Sequence, residues 1–150
     1  MATNTANFGV TNAGPVNTRA IRDINYIANI ALPVAANTVN TNSLDLIQAT
    51  PYPTTQYVIA QVLTGASNAS ANNKNINVVL QDSADNSNFA NIALLAAPLL
   101  TVTDNTGNTP AGAANVLLPP GVRRYVRAQA VGEANGGNAS NANLTFQLLF

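Results

Sequence analysis

The chain has no histidine, no cysteine and no tryptophan, a single methionine, and only 8% charged residues. An ordinary soluble domain carries roughly 25% charged residues. Each absence removes a class of chemistry. Without cysteine there is no disulfide framework, no thiolate nucleophile and no zinc–thiolate site. Without histidine the usual general base and the commonest transition-metal ligand are both missing. Six Lys+Arg balance six Asp+Glu to a net charge of zero, which leaves no basic surface of the kind nucleic acid requires. The longest apolar run, Ile92 to Leu100, is interrupted by Pro98 and is too short for a membrane span. The opening Met1-Ala-Thr-Asn-Thr-Ala-Asn has neither the basic start nor the apolar core of a signal peptide. Catalysis, metal or cofactor binding, nucleic-acid binding and membrane insertion are all disfavoured, and no cofactor is expected.

What remains is a 150-residue chain that is 47% hydrophobic and holds 24 Asn and 15 Thr. That length suits one domain, and the apolar share suffices to fill its core. Asn favours caps, turns and left-handed positions, while Thr and Val favour the half-buried surface of a sheet. The composition therefore predicts an all-β protein.

Residues 1–33 read as an N-terminal arm, and residues 34–150 as a β-sandwich domain. The first part of the arm, residues 1–17, is small and polar, with Gly9, Gly14 and Pro15 as breakers. Over 18–31 two patterns compete. Ile21, Ile24, Ile27 or Ala28, and Ala31 recur at helical spacing, with Asn17 or Thr18 to cap the start and Pro33 to stop it. An extended segment would instead alternate Ile21, Asp23, Asn25 and Ile27, and the sequence leaves the two level.

Beyond Pro33 the period is two. Leu44 and Leu46 flank Asp45; Gln56 to Leu63 carries two aliphatic faces; Ile76, Val78 and Leu80 share one face. Phe89 opens a strand through about Leu94, Leu99–Thr103 and Val116–Leu118 are short strands, and Asp104 to Gly112 reads as a long turn. Val126, Ala128 and Ala130 line one face of the next strand, with Arg124 before them. Arg123, Tyr125, Arg127 and Gln129 line the other. Leu144, Phe146, Leu148 and Phe150 alternate in a closing strand expected to be tied into a sheet. Seven or eight such strands predict an antiparallel sandwich or jelly roll.

Few constellations carry chemistry. Asp82, Asp85, Asn86 and Asn88 resemble part of a calcium loop but lack the glycine and distant glutamate of that motif; a turn held by Asx side chains accounts for them. No spacing brings two carboxylates to one cleft. The sequons at Asn68, Asn138 and Asn143 are expected by chance in so Asn-rich a chain. Two groups remain as candidate contact residues. Arg19, Ile21, Arg22, Ile24 and Ile27 form one, and Arg123, Tyr125 and Arg127 the other, where forked guanidinium bonds suit an acidic partner.

Ser43-Leu-Asp-Leu46, Asn77-Val-Val-Leu-Gln-Asp-Ser-Ala-Asp85 with Phe89 beyond the turn, and Leu118-Pro-Pro-Gly-Val-Arg-Arg-Tyr-Val-Arg127 before a Gly-rich loop and an apolar closing strand belong together. In this arrangement residues 34–150 resemble the small capsid cement, or decoration, proteins of tailed bacteriophages, particularly the jelly-roll type on some short-tailed phage heads. The arm, 1–33, departs from that compact pattern. The resemblance implies a non-enzymatic clamp on the outer surface of a virion. Its partner would be the major capsid protein, whose neighbouring subunits it would bridge. It also implies a homo-oligomer, dimer or trimer, made in the bacterial cytoplasm. Neutral composition agrees with this, since copies packed side by side do not repel. The alternatives are a tail, baseplate or head-fibre module, and a carbohydrate-binding β-sandwich using Tyr52, Tyr57, Tyr125 or the Asn-rich loops.

Overall fold

The computed structural model describes residues 22–47, 58–67, 74–103 and 108–149. Among them every regular element is a strand. In chain order these are β1 (Arg22–Ala31), β2 (Thr38–Asn40), β3 (Leu44–Asp45), β4 (Ile59–Thr64) and β5 (Asn75–Ser83). They continue with β6 (Ala90–Asn91), β7 (Leu100–Thr103), β8 (Gly112–Leu117), β9 (Tyr125–Gly132) and β10 (Asn143–Leu149).

Two antiparallel sheets result. The first runs β1-β10-β4-β8. In the second, β9 and β5 are central; β2 and β3 share the outer edge of β9, and β6 and β7 share that of β5. With each broken edge taken as one position, every sheet is four strands wide, and the chain crosses between sheets at most connections. This is the winding of a jelly roll, as the strand grammar predicts.

Period-two patterning fixes what faces inward. Leu144, Phe146 and Leu148 of β10 and Ala60 and Val62 of β4 meet Val78 and Leu80 of β5 and Val126, Ala128 and Ala130 of β9. Alanine at the middle of β9 lets the layers approach, while Phe146, fully buried, fills the centre. At one rim the fit is tighter still. A Cβ added to Gly112 at the start of β8 would lie 2.5 Å from Cγ1 of Val102 on β7 and 3.0 Å from Oγ1 of Thr64.

Four expectations need correction. The helical reading of 18–31 fails over its described part. β1 is a ten-residue strand paired with β10 from Asn143↔Ala31 to Gln147↔Ile27. Local spacing was ambiguous there. Pairing with β10, whose Leu144, Phe146 and Leu148 are fully buried, decided it, and Asp23, Asn25 and Asn29 are poor helix-interior residues. The sandwich therefore includes β1, and its boundary lies before residue 34. The strand expected over Phe89–Leu94 shrinks to Ala90–Asn91 and gives way to a turn. Conversely Gly112-Ala-Ala-Asn115, read as turn and connection, joins β8 because it pairs along β4, and Thr38–Asn40 pairs with β9.

Replacing Gly112 by Ala should destabilise by about 1–3 kcal/mol, because the well-packed Val102 must move. Phe146→Ala should cost about 3–5 kcal/mol. Denaturant unfolding midpoints at constant slope measure both. Gly121 offers the control: nothing lies within 4 Å of an added Cβ and only its φ of +87° opposes substitution, so its alanine variant should lose about 1–2 kcal/mol.

Candidate functional site

Among the described residues three ion pairs form, taking up six of the chain's twelve charged residues, and all involve β9 or its flanks. Arg123 donates its backbone N–H (2.8 Å) and Nε (2.9 Å) to the Asp82 carboxylate, and Nη2 to both Oδ1 (2.5 Å) and the Asp82 carbonyl (2.8 Å). Arg124 grips Asp45 of β3 through Nε and Nη2, both at 2.7 Å. Lys74 Nζ lies 3.0 Å from Glu133, whose other oxygen accepts the Asn75 N–H. The sequence places Arg123 beside Tyr125 and Arg127 on an outward face. Its guanidinium instead turns back to Asp82, a side chain on the core-facing side of β5 that is only 8% exposed. At that end an open cleft of about 310 Å³ is lined by Ile92, Leu94, Pro119, Pro120 and Val122 beside the ion pair.

The Asp82–Asn88 segment is the turn held by Asx side chains that its sequence predicts, not a cation loop. Asp82 belongs to Arg123, and Asp85 accepts from the N–H groups of Ser87 and Asn88, from Asn88 Nδ2 and from the Ser83 hydroxyl. Asn86 takes the left-handed conformation at the apex (φ 60°), which Asn tolerates. Among the described residues no group of three or more acidic, His or Cys side chains could hold a metal.

The outer face of the second sheet is crossed by a row of neutral amides. Gln129 donates to Asn40 Oδ1 (2.9 Å), and Gln81 donates to Gln129 Oε1 (3.3 Å) and Asn91 Oδ1 (3.1 Å). The row spans β2, β9, β5 and β6. Beside it Arg127 donates Nε to Gln81 Oε1 (3.0 Å) and lies face-on to Phe89, 3.9 Å from the ring centre. Tyr125 is on the same face, with the Arg124 guanidinium 5.1 Å from its ring. Burial lowers the Arg127 pKa from its ordinary value, and no carboxylate pairs with Arg127 among the described residues.

The first sheet has its own outward row. Gln147 donates to Gln61, and Gln61 donates to Asn115 Oδ1 (2.8 Å); Thr145 donates to Asn29 Oδ1 (2.6 Å). Ile27 stands here, opposite Gln147. Arg22 and Ile24 lie within β1, whereas Arg19 and Ile21 fall outside the described residues, as do Tyr52 and Tyr57. Among the described side chains the two groups of candidate contact residues do not converge. Ile27 faces out from one sheet, Tyr125 and Arg127 from the other, on opposite sides of a sandwich whose layers are roughly 10 Å apart. The residues that sequence reading missed are Gln81, Asn91, Phe89 and Asn40. The period-two pattern could have put Gln81 on the face of Arg127, but only the register of β9 on β5 makes them opposite neighbours.

No family of known proteins and no curated protein matches the chain. Among solved structures, a "Family 16 Carbohydrate Binding Module-2" aligns with 78% of this chain and 71% of its own, at 8% identity and a TM-score of 0.29. A likeness that loose carries no functional weight.

The ion pairs set the acid response. The hydrogen bond from Arg124 holds the Asp45 carboxyl below its ordinary 3.8. The bond from Lys74 holds Glu133 below 4.5, and the Asn88 N–H leads the donors that lower Asp85. A carboxyl depressed in the folded state adds stability that is complete above its unfolded pKa and is lost as pH falls through the folded one. Stability should therefore be flat from about pH 5 to 7, where nothing in a histidine-free chain titrates. It should fall below about pH 4, as followed by thermal melting across that range. Asp82→Ala, which leaves the Arg123 N–H and Nε without their carboxylate acceptor and Nη2 with the backbone carbonyl alone, should cost about 1–3 kcal/mol at neutral pH.

Proposed function

We propose that this protein is a non-enzymatic structural component of a bacteriophage head, a cement protein seated on the outer shell and bridging neighbouring coat subunits. The observation that carries the reading is the disposition of polarity. The charges of three ion pairs are turned inward or against each other. Both broad faces present ordered rows of neutral amides and hydroxyls. Such faces bind by shape and by neutral hydrogen bonds, which weaken little with salt and do not repel adjacent copies. The jelly-roll core supplies two rigid platforms for them, and jelly rolls are used in viral capsids and lectins alike. Resemblance of the Asp82–Asp85 turn and the Leu118–Arg127 segment to cement proteins points the same way.

Incubating the purified protein with heads that lack it tests this directly. Saturable binding at a stoichiometry matching the shell's subunits is expected, together with heads that survive higher temperature or lower salt. Binding of only a few copies per particle would move the protein to the tail or a fibre. Binding only to a glycan array would favour the sugar-binding alternative. Because β1 begins at Arg22, residues 1–17 can be removed without cutting a described strand. That truncation should lower occupancy while leaving the melting temperature unchanged, and full occupancy would exclude a clamping role for the arm.

A further inference from the structure

We infer that Arg127 is an anchor for a carboxylate presented by the partner protein's surface, an inference that names the chemistry of the contact and rests on the shell-binding reading above. The other two arginines of this region each hold an aspartate through two hydrogen bonds to its oxygens. Arg127 has the same fork and no such acceptor. Among the described residues its only side-chain hydrogen bond is Nε to Gln81 Oε1, and neither terminal nitrogen bonds another of them. The group is nevertheless held in place. Phe89 covers one face of the guanidinium at 3.9 Å, and Gln81 is itself fixed by Asn91 and Gln129.

A half-buried cation with one edge bound, one face stacked and two donor nitrogens unused is preorganised for a planar anion. Ordering a free arginine on contact costs side-chain entropy, and here the fold has already borne much of it. Two further features choose the anion. Nucleic acid and anionic membranes are gripped by clusters of cations, whereas Arg127 stands alone among neutral amides. A single cation in a hydrogen-bonding field suits a single Asp or Glu on a protein. Asn40, Gln129 and Asn91 then meet the uncharged polar groups around that carboxylate, with the buried Gln81 holding Gln129, Asn91 and Arg127 in place. Arg123 and Arg124 cannot serve, because both already hold carboxylates within the chain.

The test uses the full chain and two readouts. In the first, wild type and two variants are titrated onto heads lacking the protein. Arg127→Gln should lose about ten- to hundredfold in affinity, in the range of truncated charge pairs at interfaces. Arg127→Lys, which keeps the charge but not the fork, should lose most of the same amount. Arg127→Gln should not melt below wild type, since it removes a cation that has no carboxylate partner among the described residues, while Arg127→Lys keeps that cation and separates the effect of charge from that of the fork. Wild-type affinity in Arg127→Gln overturns the inference. The second readout needs no head. Sodium acetate should shift the side-chain 15N resonances of Arg127, sodium chloride at equal ionic strength should not, and Phe89→Leu should weaken the response. An equal response to chloride, or a response to inorganic phosphate without one to acetate, overturns the carboxylate assignment. Should wild type fail to bind heads while acetate still acts at Arg127, the shell reading falls and the carboxylate site stands.

Discussion

The register of β9 on β5 is the constraint on which the rest of this molecule depends. Eight antiparallel residue pairs, from Tyr125↔Ser83 to Gly132↔Ile76, join the two central strands of the second sheet. Side chains alternate at every step, so a slip of one residue would exchange the faces. Val126, Ala128 and Ala130 would leave the core, and Arg127 and Gln129 would enter it. Ion pairs lie at both ends of this ladder. Arg123, just before β9, binds Asp82 near the end of β5, and Glu133, just after β9, binds Lys74 just before β5. A third pair, Arg124–Asp45, ties β3 to the other side of β9. An exposed surface ion pair contributes roughly 0–1 kcal/mol, so for Lys74–Glu133 and Arg124–Asp45 the gain in register matters more than the gain in stability. Asp82 differs, because it is nearly buried and each of its oxygens is bonded.

This use of charge explains how a chain with so few ionisable groups can still specify one fold. A charge-rich domain has many ways to satisfy each arginine, and most are equivalent. Here each described ion pair is formed between segments far apart in sequence, and a misregistered sheet would leave a carboxylate without its partner at the rim of the core. Amide rows act in the same sense. Gln81 reaches both Gln129 and Asn91 only if β9, β5 and β6 are correctly aligned, as Gln61 reaches Gln147 and Asn115 only if β10, β4 and β8 are. Neutral hydrogen bonds therefore repeat, across both sheets, the alignment that the ion pairs set at the ends of one.

Much of this was legible from residue order alone, where physics is local. Ile76, Val78 and Leu80, and Leu144, Phe146 and Leu148, announce half-buried strands because side chains alternate with period two. β1 was not legible, because Ile21, Ile24 and Ile27 fit a helix about as well as a strand and the decision came from β10, over a hundred residues away. β8 was hidden for the opposite reason. Gly112, Ala113 and Ala114 have little intrinsic preference for a sheet, and they join one because β4 offers a free edge and the rim has no room for a larger residue at Gly112. Arg123 misled through its position. Strand parity puts it on the outer face, but it precedes β9, where the chain is not bound by parity, and a buried aspartate outweighs the pattern. Arg127, inside the strand, kept the face that parity gave it.

What separates Arg127 from the rows around it is direction. Amides accept and donate on any side, so a face made of them adheres to many polar surfaces and discriminates weakly among them. Specificity is a difference between affinities, and a guanidinium supplies one. Brought against a surface without an acceptor it loses the rest of its water and gains nothing, whereas against a carboxylate it forms a forked pair. The same residue that rewards the right neighbour therefore penalises the wrong one. Placing one such group on an otherwise neutral face gives orientation without the mutual repulsion that several would bring between adjacent copies. The fold bears the desolvation of Arg127 for that reason: a cation already paired within the chain, as Arg123 and Arg124 are, can fix a strand but cannot choose a partner.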